Sequence, residues 1–324
     1  MKIFRLRKKV AIAYFSIFSL LAVFYFAFFD DYIEDIREQP LIHCMRVELG
    51  RALPRVREDF DFTINYFGLQ FSGNTRNFAE RSVVFLGAFE RKVLYFMRDA
   101  LEALNRENST AIDVGAFTGT HSLYLSLFAD QVHAFEPAED AREHLLKNIR
   151  QNAIEHIVVH SEGLGDSNSL AKFYTDKEGL NVTGSFVDGF RSKNTEEQEL
   201  VLVRGDDKLN ELGVERVDLV KVDVEGFEVG VLKGLKDTLR RDRPVVVIEL
   251  SFGPSIGFQD SNGFYGSFPQ DYLFYEISDH YNRSGDYDLS PYVFSFDPDI
   301  QPQVVAFPKE LEAIIPKKSS NREN

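Results

Sequence analysis

The chain has a single cysteine, Cys44, so no intrachain disulfide can form. No Cys/His cluster has the spacing of a structural zinc site. One cysteine is compatible with either a reducing or an oxidising compartment. Positive charge is also in short supply. Lys and Arg number 37 against 51 Asp and Glu, a formal net charge of −14. That balance argues against nonspecific nucleic-acid binding, because a phosphate backbone would be repelled. Clustered basic residues occur mainly at the extreme N-terminus. Internal repeats and low-complexity tracts are absent. What remains, at 324 residues, suits one α/β domain of about 200–250 residues plus appendages.

The richest stretch is Thr110-Ala-Ile-Asp-Val-Gly-Ala-Phe-Thr-Gly-Thr120. Apolar residues around Asp113 predict a short buried strand. Gly115 and Gly119 punctuate a turn, and residues 121–128 predict the helix that follows. Strand, glycine turn and helix form a nucleotide cradle, in which backbone approaches a ligand closely and the helix start offers free N–H groups. Asp113 would repel a phosphate but could bind an amine or hydroxyl, which favours S-adenosylmethionine (SAM). The next apolar run, Gln131-Val-His-Ala-Phe-Glu-Pro137, ends in Glu136 about twenty residues after the first glycine, where an acid can take both ribose hydroxyls. The plainer alternative is an ordinary βαβ unit whose glycines relieve crowding and whose Glu136 caps the next helix.

Strands and helices continue to alternate. Residues 138–151 predict an amphipathic helix, 157–160 a strand, 170–174 and 200–204 further strands, 217–224 a strong strand, 227–239 a helix, and 245–250 another buried strand. A helical pattern covers 88–104. Residues 60–67 alternate as a strand, and 68–77 read as a loop. Continuous apolar strands between helices predict a mostly parallel sheet with helices on both faces. Ligands of such sheets lie beyond the carboxyl ends of the strands. Asp113, Glu136, Glu162, Asp223 and Glu249 all fall at or near such ends and are expected along one rim.

Residues 10–29 carry no charge over about twenty positions, enough for a helix to span a hydrocarbon core of about 30 Å. Lys2, Arg5, Arg7, Lys8 and Lys9 precede the run and Asp30, Asp31, Glu34 and Asp35 follow it. The positive-inside rule then puts the N-terminus in the cytoplasm and the chain in a single-pass membrane topology. A cleaved signal peptide is the rival reading; the long run and the bulky Phe and Asp at its end favour the anchor. The predicted organisation is a basic flank at 1–9, an anchor at 10–29, a stem at 30–80, the main domain at 81–312 and a polar tail at 313–324. Sequons begin at Asn108, Asn181 and Asn282.

Asp113-Val-Gly-Ala116, Ala134-Phe-Glu-Pro137, Lys221-Val-Asp-Val-Glu-Gly226 with Glu228, Val231-Leu-Lys-Gly234, and Ile248-Glu-Leu250 resemble the FkbM-type methyltransferases in order and spacing. The similarity runs from about residue 111 to 250 and more weakly to 308. It implies a class I, Rossmann-type methyltransferase fold, SAM as cofactor, and O-methylation of a hydroxyl on a sugar, glycan, lipid-linked or polyketide-like acceptor. One departure is Phe117, a bulky ring where the broader pattern often has a third glycine; it predicts a narrower methionine end of the pocket.

The candidate cofactor-binding set is therefore Asp113, Gly115, Ala116, Gly119, Glu136, Pro137 and Glu162. The candidate catalytic set is Asp223, Lys221, Glu225 and Glu249. Asp223 is expected to take the acceptor's hydroxyl proton, with Lys221 two residues away on the same strand face. The alternative for Lys221, Asp223 and Glu225 is a structural ion pair. In a metal variant, Asp223 and Glu249 hold Mg²⁺. His121 and His280 are weaker candidates. A membrane-anchored glycosyltransferase is the competing class, on the Asp-x-Asp triplets Asp286–Asp288 and Asp297–Asp299; a noncatalytic protein of the same fold is the third. SAM is made in the cytosol while the flanking charges put the domain across the membrane, so the side it faces stays open.

Overall fold

The computed structural model describes residues 60–176, 184–187, 195–253, 256–278 and 286–319. The anchor at 10–29 with its basic flank, the stem up to residue 59, Cys44, the sequons at Asn181 and Asn282, His280, and the tail beyond Ser319 lie outside the described residues. No helix among the described residues is long and apolar enough to cross a membrane.

The described chain opens with a hairpin. Asp61–Tyr66 (β1) pairs antiparallel with Leu69–Asn74 (β2). Phe67 and Gly68 both take positive φ, the backbone that a two-residue hairpin turn demands. That turn is why residues 69–74, expected as loop, form a strand. Phe78–Leu86 (α1) starts at Asn77, whose side chain accepts from the Glu80 N–H, and ends at left-handed Gly87. Arg91–Leu104 (α2) is the remainder of the predicted 88–104 helix; Glu90, at φ +49°, interrupts the pattern before it.

Thr110–Val114 (β3), Thr120–Leu125 (α3), Gln131–Phe135 (β4), Glu139–Gln151 (α4) and Ile157–His160 (β5) follow in the predicted order. The chain then leaves the main sheet. Gly163–Gly165 (β6), Ser169–Asp176 (β7), Gly184–Ser185 (β8) and Thr195–Arg204 (β9) form a second sheet in the order β6-β9-β7-β8. The strands expected at 170–174 and 200–204 are present but pair with each other, antiparallel, instead of joining the parallel sheet.

Gly205–Glu211 (α5) leads to Leu219–Val222 (β10), Glu228–Gly234 (α6), Lys236–Arg241 (α7) and Val245–Glu249 (β11). Ser261–Gly266 (α8), Tyr272–Ser278 (β12), Asp288–Pro291 (β13) and Gln303–Pro308 (β14) complete the described elements. The main sheet has eight strands in the order β13-β12-β14-β11-β10-β3-β4-β5. From β11 to β5 every pairing is parallel; β14 is antiparallel to both β11 and β12, and β13 to β12. The sheet is thus mixed. Consecutive β12 and β13 pair antiparallel, and β14 inserts between β11 and β12, antiparallel to both.

Alternation along the strands fills both faces. Ala111, Val245 and Val247 pack on one side with α2, α3 and α4, while Ile112, Val114, Val246 and Ile248 pack on the other with α6, α7 and α8. This is a methyltransferase-like α/β fold built on a large mixed sheet.

Candidate active site

Strand order reverses beside β3, with β4 on one flank and β10 on the other, and crevices form at such switch points. A cavity of about 400 Å³ opens there, within the usual size of a small-molecule site. Gly115 holds the turn after β3 at φ +82°, and a Cβ on it would lie 1.8 Å from the Asp223 carbonyl oxygen. Only glycine allows the turn and the end of β10 to meet so closely. Gly119 takes φ +97°, with Leu145 of α4 packed where its Cβ would be. Between them Phe117 adopts φ +50°, the left-handed backbone that a glycine would take readily. Its ring lines the cavity and packs on Ala138, Ala141 and Phe173.

Glu136 is buried at the cavity wall. Its two carboxyl oxygens accept from the Phe117 and Ala138 backbone N–H groups, each at 2.8 Å. Burial pushes the carboxyl up to about 7, against the pull of those N–H donors and Arg142. Both sequence readings of Glu136 therefore meet in one side chain: it holds the chain into α4 and faces the cavity. Gly115 and Pro137 line the wall as well. Asp113, Ala116 and Gly119 sit behind it. The Asp113 carboxylate is fully buried; Oδ2 accepts from Ser122 Oγ at 2.6 Å and Oδ1 has no hydrogen-bond partner. Glu162 turns away into an ion pair with Lys208 at 2.8 Å and is not part of the wall.

The far rim is a cluster of carboxyls over one buried cation. Lys221, 2% exposed, donates from Nζ to Asp223 Oδ2 at 3.0 Å. Burial opposes its charge, yet the carboxylates of Asp223, Asp113 and Glu90 outweigh that and hold the ammonium above the ordinary lysine range. β10 ends at Val222, so the expected shared strand face does not extend to Glu225. Glu225 takes φ +53° and still reaches the cavity wall, while its carbonyl accepts from Ser185 Oγ.

Burial, reinforced by Asp223, Glu90 and Glu225, pushes Glu249 up to about 10, so it carries a proton at neutral pH. Gln303 Nε2 donates to both Glu249 Oε2 and Glu90 Oε1. Burial would raise Glu90, but His121, Lys221 and a hydrogen bond from Glu249 bring it below the usual carboxylate range. His121 Nε2 lies 3.2 Å from Glu90 Oε2, which puts His121 on the rim through a carboxylate partner. Glu90, Asp223 and Glu249 present carboxyl oxygens all within 4.8 Å of one another. Such a set could hold a divalent cation if Glu249 gave up its proton.

The methyltransferase FkbM domain profile matches residues 113–281, just over half of the chain. The chain belongs to the FkbM methyltransferase family. Over 142 residues it is 32% identical to the hexuronic acid methyltransferase AglP of Haloferax volcanii, covering 44% of this chain and 56% of that protein. Over 149 residues it is 29% identical to Methyltransferase 1 of Beauveria bassiana, covering 40% of this chain and 60% of that one. The chain thus spans just over half the length of these two relatives. Among solved structures it is similar to methyltransferase FkbM from Methylobacillus flagellatus, with a TM-score of 0.41 and 18% identity over 62% of this chain and 43% of that chain. The family expected from the motifs is borne out.

In this FkbM-family chain, Glu90, Gln301 and Gln303 line the cavity from outside the matched segment. Sequence reasoning missed all three. Glu90 lies inside the 88–104 stretch that reads as one helical pattern, where its charge passes for a solvated face. The Asp-x-Asp triplets are not part of the cavity wall, and the Asp299 N–H turns back onto Asp297 Oδ1. Phe264 is fully buried among Phe258, Phe268, Phe274 and Phe294 and offers no face to a ligand.

Proposed function

We propose that this chain is a SAM-dependent methyltransferase that O-methylates a sugar, glycan or lipid-linked acceptor. The observation that carries the reading is the juxtaposition of the glycine turn, Glu136 and Asp223 around one cavity at the switch point. The residues present fit the donor. Glu136 is buried at the wall with its N–H bonds made by backbone, so its remaining lone pairs are available to ribose hydroxyls. The Asp113 oxygen that lacks a partner lies directly behind the turn and adds negative charge beneath it. When bound, SAM supplies a methyl group activated by a sulfonium.

The protein's own residues then have distinct tasks. Asp223 accepts the proton of the acceptor hydroxyl. Lys221, fixed beneath it, holds that carboxyl in place. Burial holds the Glu249 carboxyl well above the usual carboxylate range, which favours Asp223 as the base. Glu90 and Gln303 keep Glu249 oriented. Magnesium is a second reading, favoured by the three carboxyl groups that converge at Glu90, Asp223 and Glu249. The sugar class draws support from AglP, whose name assigns it hexuronic acid. The uncharged run at 10–29 adds a proposed tether to the membrane, with the N-terminus cytoplasmic; protease protection on intact membranes would show on which side the domain lies. The test of the function is transfer of labelled methyl from SAM to membrane glycan and lipid extracts, with S-adenosylhomocysteine (SAH) binding measured by calorimetry. Absence of both would overturn it.

A further inference from the structure

The methyl-transfer reading leaves the acceptor's charge open, and the cavity wall speaks to it. Glu90, Glu136, Asp223, Glu225 and Glu249 all face the cavity, and Lys92 is the one lysine or arginine in the wall among the described residues. Lys221 lies beneath the wall and pairs with Asp223, so the excess is carried by the other wall carboxyls, with Lys92 and His121 the basic side chains beside them. A cationic sulfonium is welcome in such a place. An anionic acceptor is not, because its hydroxyl must come within reach of the Asp223 carboxyl, with Glu90 and Glu225 on the same wall. A like charge held about 5 Å from a carboxylate in a partly buried site weakens binding on the order of a hundredfold.

The same wall offers uncharged recognition groups. Phe78 is 55% exposed and lines the cavity, with the Phe89 ring edge-on to it at 6.1 Å. An aromatic ring open to solvent at a pocket mouth suits the C–H face of a sugar ring. Gln301 and Gln303 bring neutral amides, which can both donate to and accept from hydroxyls.

Resting on the methyl-transfer reading, we propose that the acceptor is an uncharged sugar, its ring against Phe78 and its hydroxyl toward Asp223, and that Glu90, Asp223 and Glu225 exclude anionic sugars, hexuronates included. The acceptor preference would then differ from the one AglP's name describes.

The test uses the full chain, labelled SAM, and membrane glycans split by anion exchange into neutral and anionic pools of equal hexose content. Label is expected in the neutral pool at least about tenfold above the anionic pool. Glu90→Gln is expected to narrow that ratio by about tenfold, and Glu225→Gln to do the same if the first variant folds poorly. Phe78→Ala is expected to raise KM for the neutral pool with little change in kcat. Label mainly in the anionic pool overturns the proposal, as does an unchanged ratio in both Gln variants. Anionic labelling that appears only when Mg²⁺ is added overturns it too, since a metal would then neutralise the wall. Label in neither pool with SAH bound overturns the sugar assignment alone; failure of SAH binding overturns the donor reading beneath it.

Discussion

Asp223 and Glu249 stand on the same rim, yet their surroundings differ. Asp223 is paired with the Lys221 ammonium at 3.0 Å, whereas Glu249, half-buried among other carboxyls, is pushed up to about 10. Asp223→Asn is therefore expected to lower kcat about 10²–10³-fold. SAH affinity, read by calorimetry, should stay within about threefold, because Asn preserves the side-chain shape. Equal losses of turnover and of SAH affinity would instead make Asp223 part of the donor site. Glu228 carries a different consequence. It is fully buried at the start of α6, Oε1 accepts from the Gly226 N–H, and burial pushes it up to about 8. The folded protein then keeps a proton that the unfolded chain releases near its ordinary value. The resulting stability is full below that value and is lost as pH rises to about 8. Glu228→Gln should flatten this slope and leave the variant more stable than the parent above pH 8, by a few kcal/mol in urea unfolding. At this scale the sequence revealed Glu136, Asp223 and Glu249, because each closes an apolar strand. It did not reveal that Asp113 faces inward to Ser122, or that Glu162 pairs with Lys208. Strand position fixes where a side chain begins but not which neighbour claims its far end.

The glycine turn shows how two elements constrain each other. Gly115 and Gly119 both have positive φ, but their neighbours differ. A Cβ on Gly115 meets backbone oxygen at 1.8 Å, while one on Gly119 meets the flexible tip of Leu145 at 2.6 Å. Gly115→Ala should therefore be the more damaging, lowering stability by roughly 4 kcal/mol or more, against roughly 1–2 kcal/mol for Gly119→Ala. Thermal melts of the two variants would check the order, and equal melting points would refute it. Elements with a strong period were legible for related reasons. β3, β4, β10 and β11 are runs of buried apolar residues, and α4 is clearly amphipathic. β2, β12, β13 and β14 were not. Residues 69–74 mix Gly, Ser and Asn with apolar positions, and pairing rather than composition makes them a strand. β9 carries charged residues through most of its first half, so its pattern does not disclose an antiparallel partner.

For the molecule as a whole, one buried side chain ties the hairpin before the matched segment to both α4 and the glycine turn. Asn148 of α4 is fully buried; its Oδ1 accepts from the Ser72 N–H at 2.8 Å, and its Nδ2 donates to the carbonyls of Ser72 at 3.2 Å and Thr118 at 3.1 Å. Hairpin, helix and glycine turn thus meet in one amide. Asn148→Ala is expected to destabilise the protein by about 2–4 kcal/mol, since it strands buried backbone groups on both β2 and the turn. It should also weaken SAH binding several-fold through Thr118, a coupling that calorimetry on the folded variant would read. Undiminished SAH affinity would mean that the turn keeps its shape without the hairpin.

Residues 77–92 and 301–303 supply much of the outer cavity wall from either side of the segment that defines the family. The stretch that would cradle the donor is thereby separated along the chain from stretches that meet whatever enters opposite it. Two short regions could drift toward a new acceptor while the reaction itself stayed the same, so likeness across the central segment alone is a poor guide to which molecule receives the methyl group.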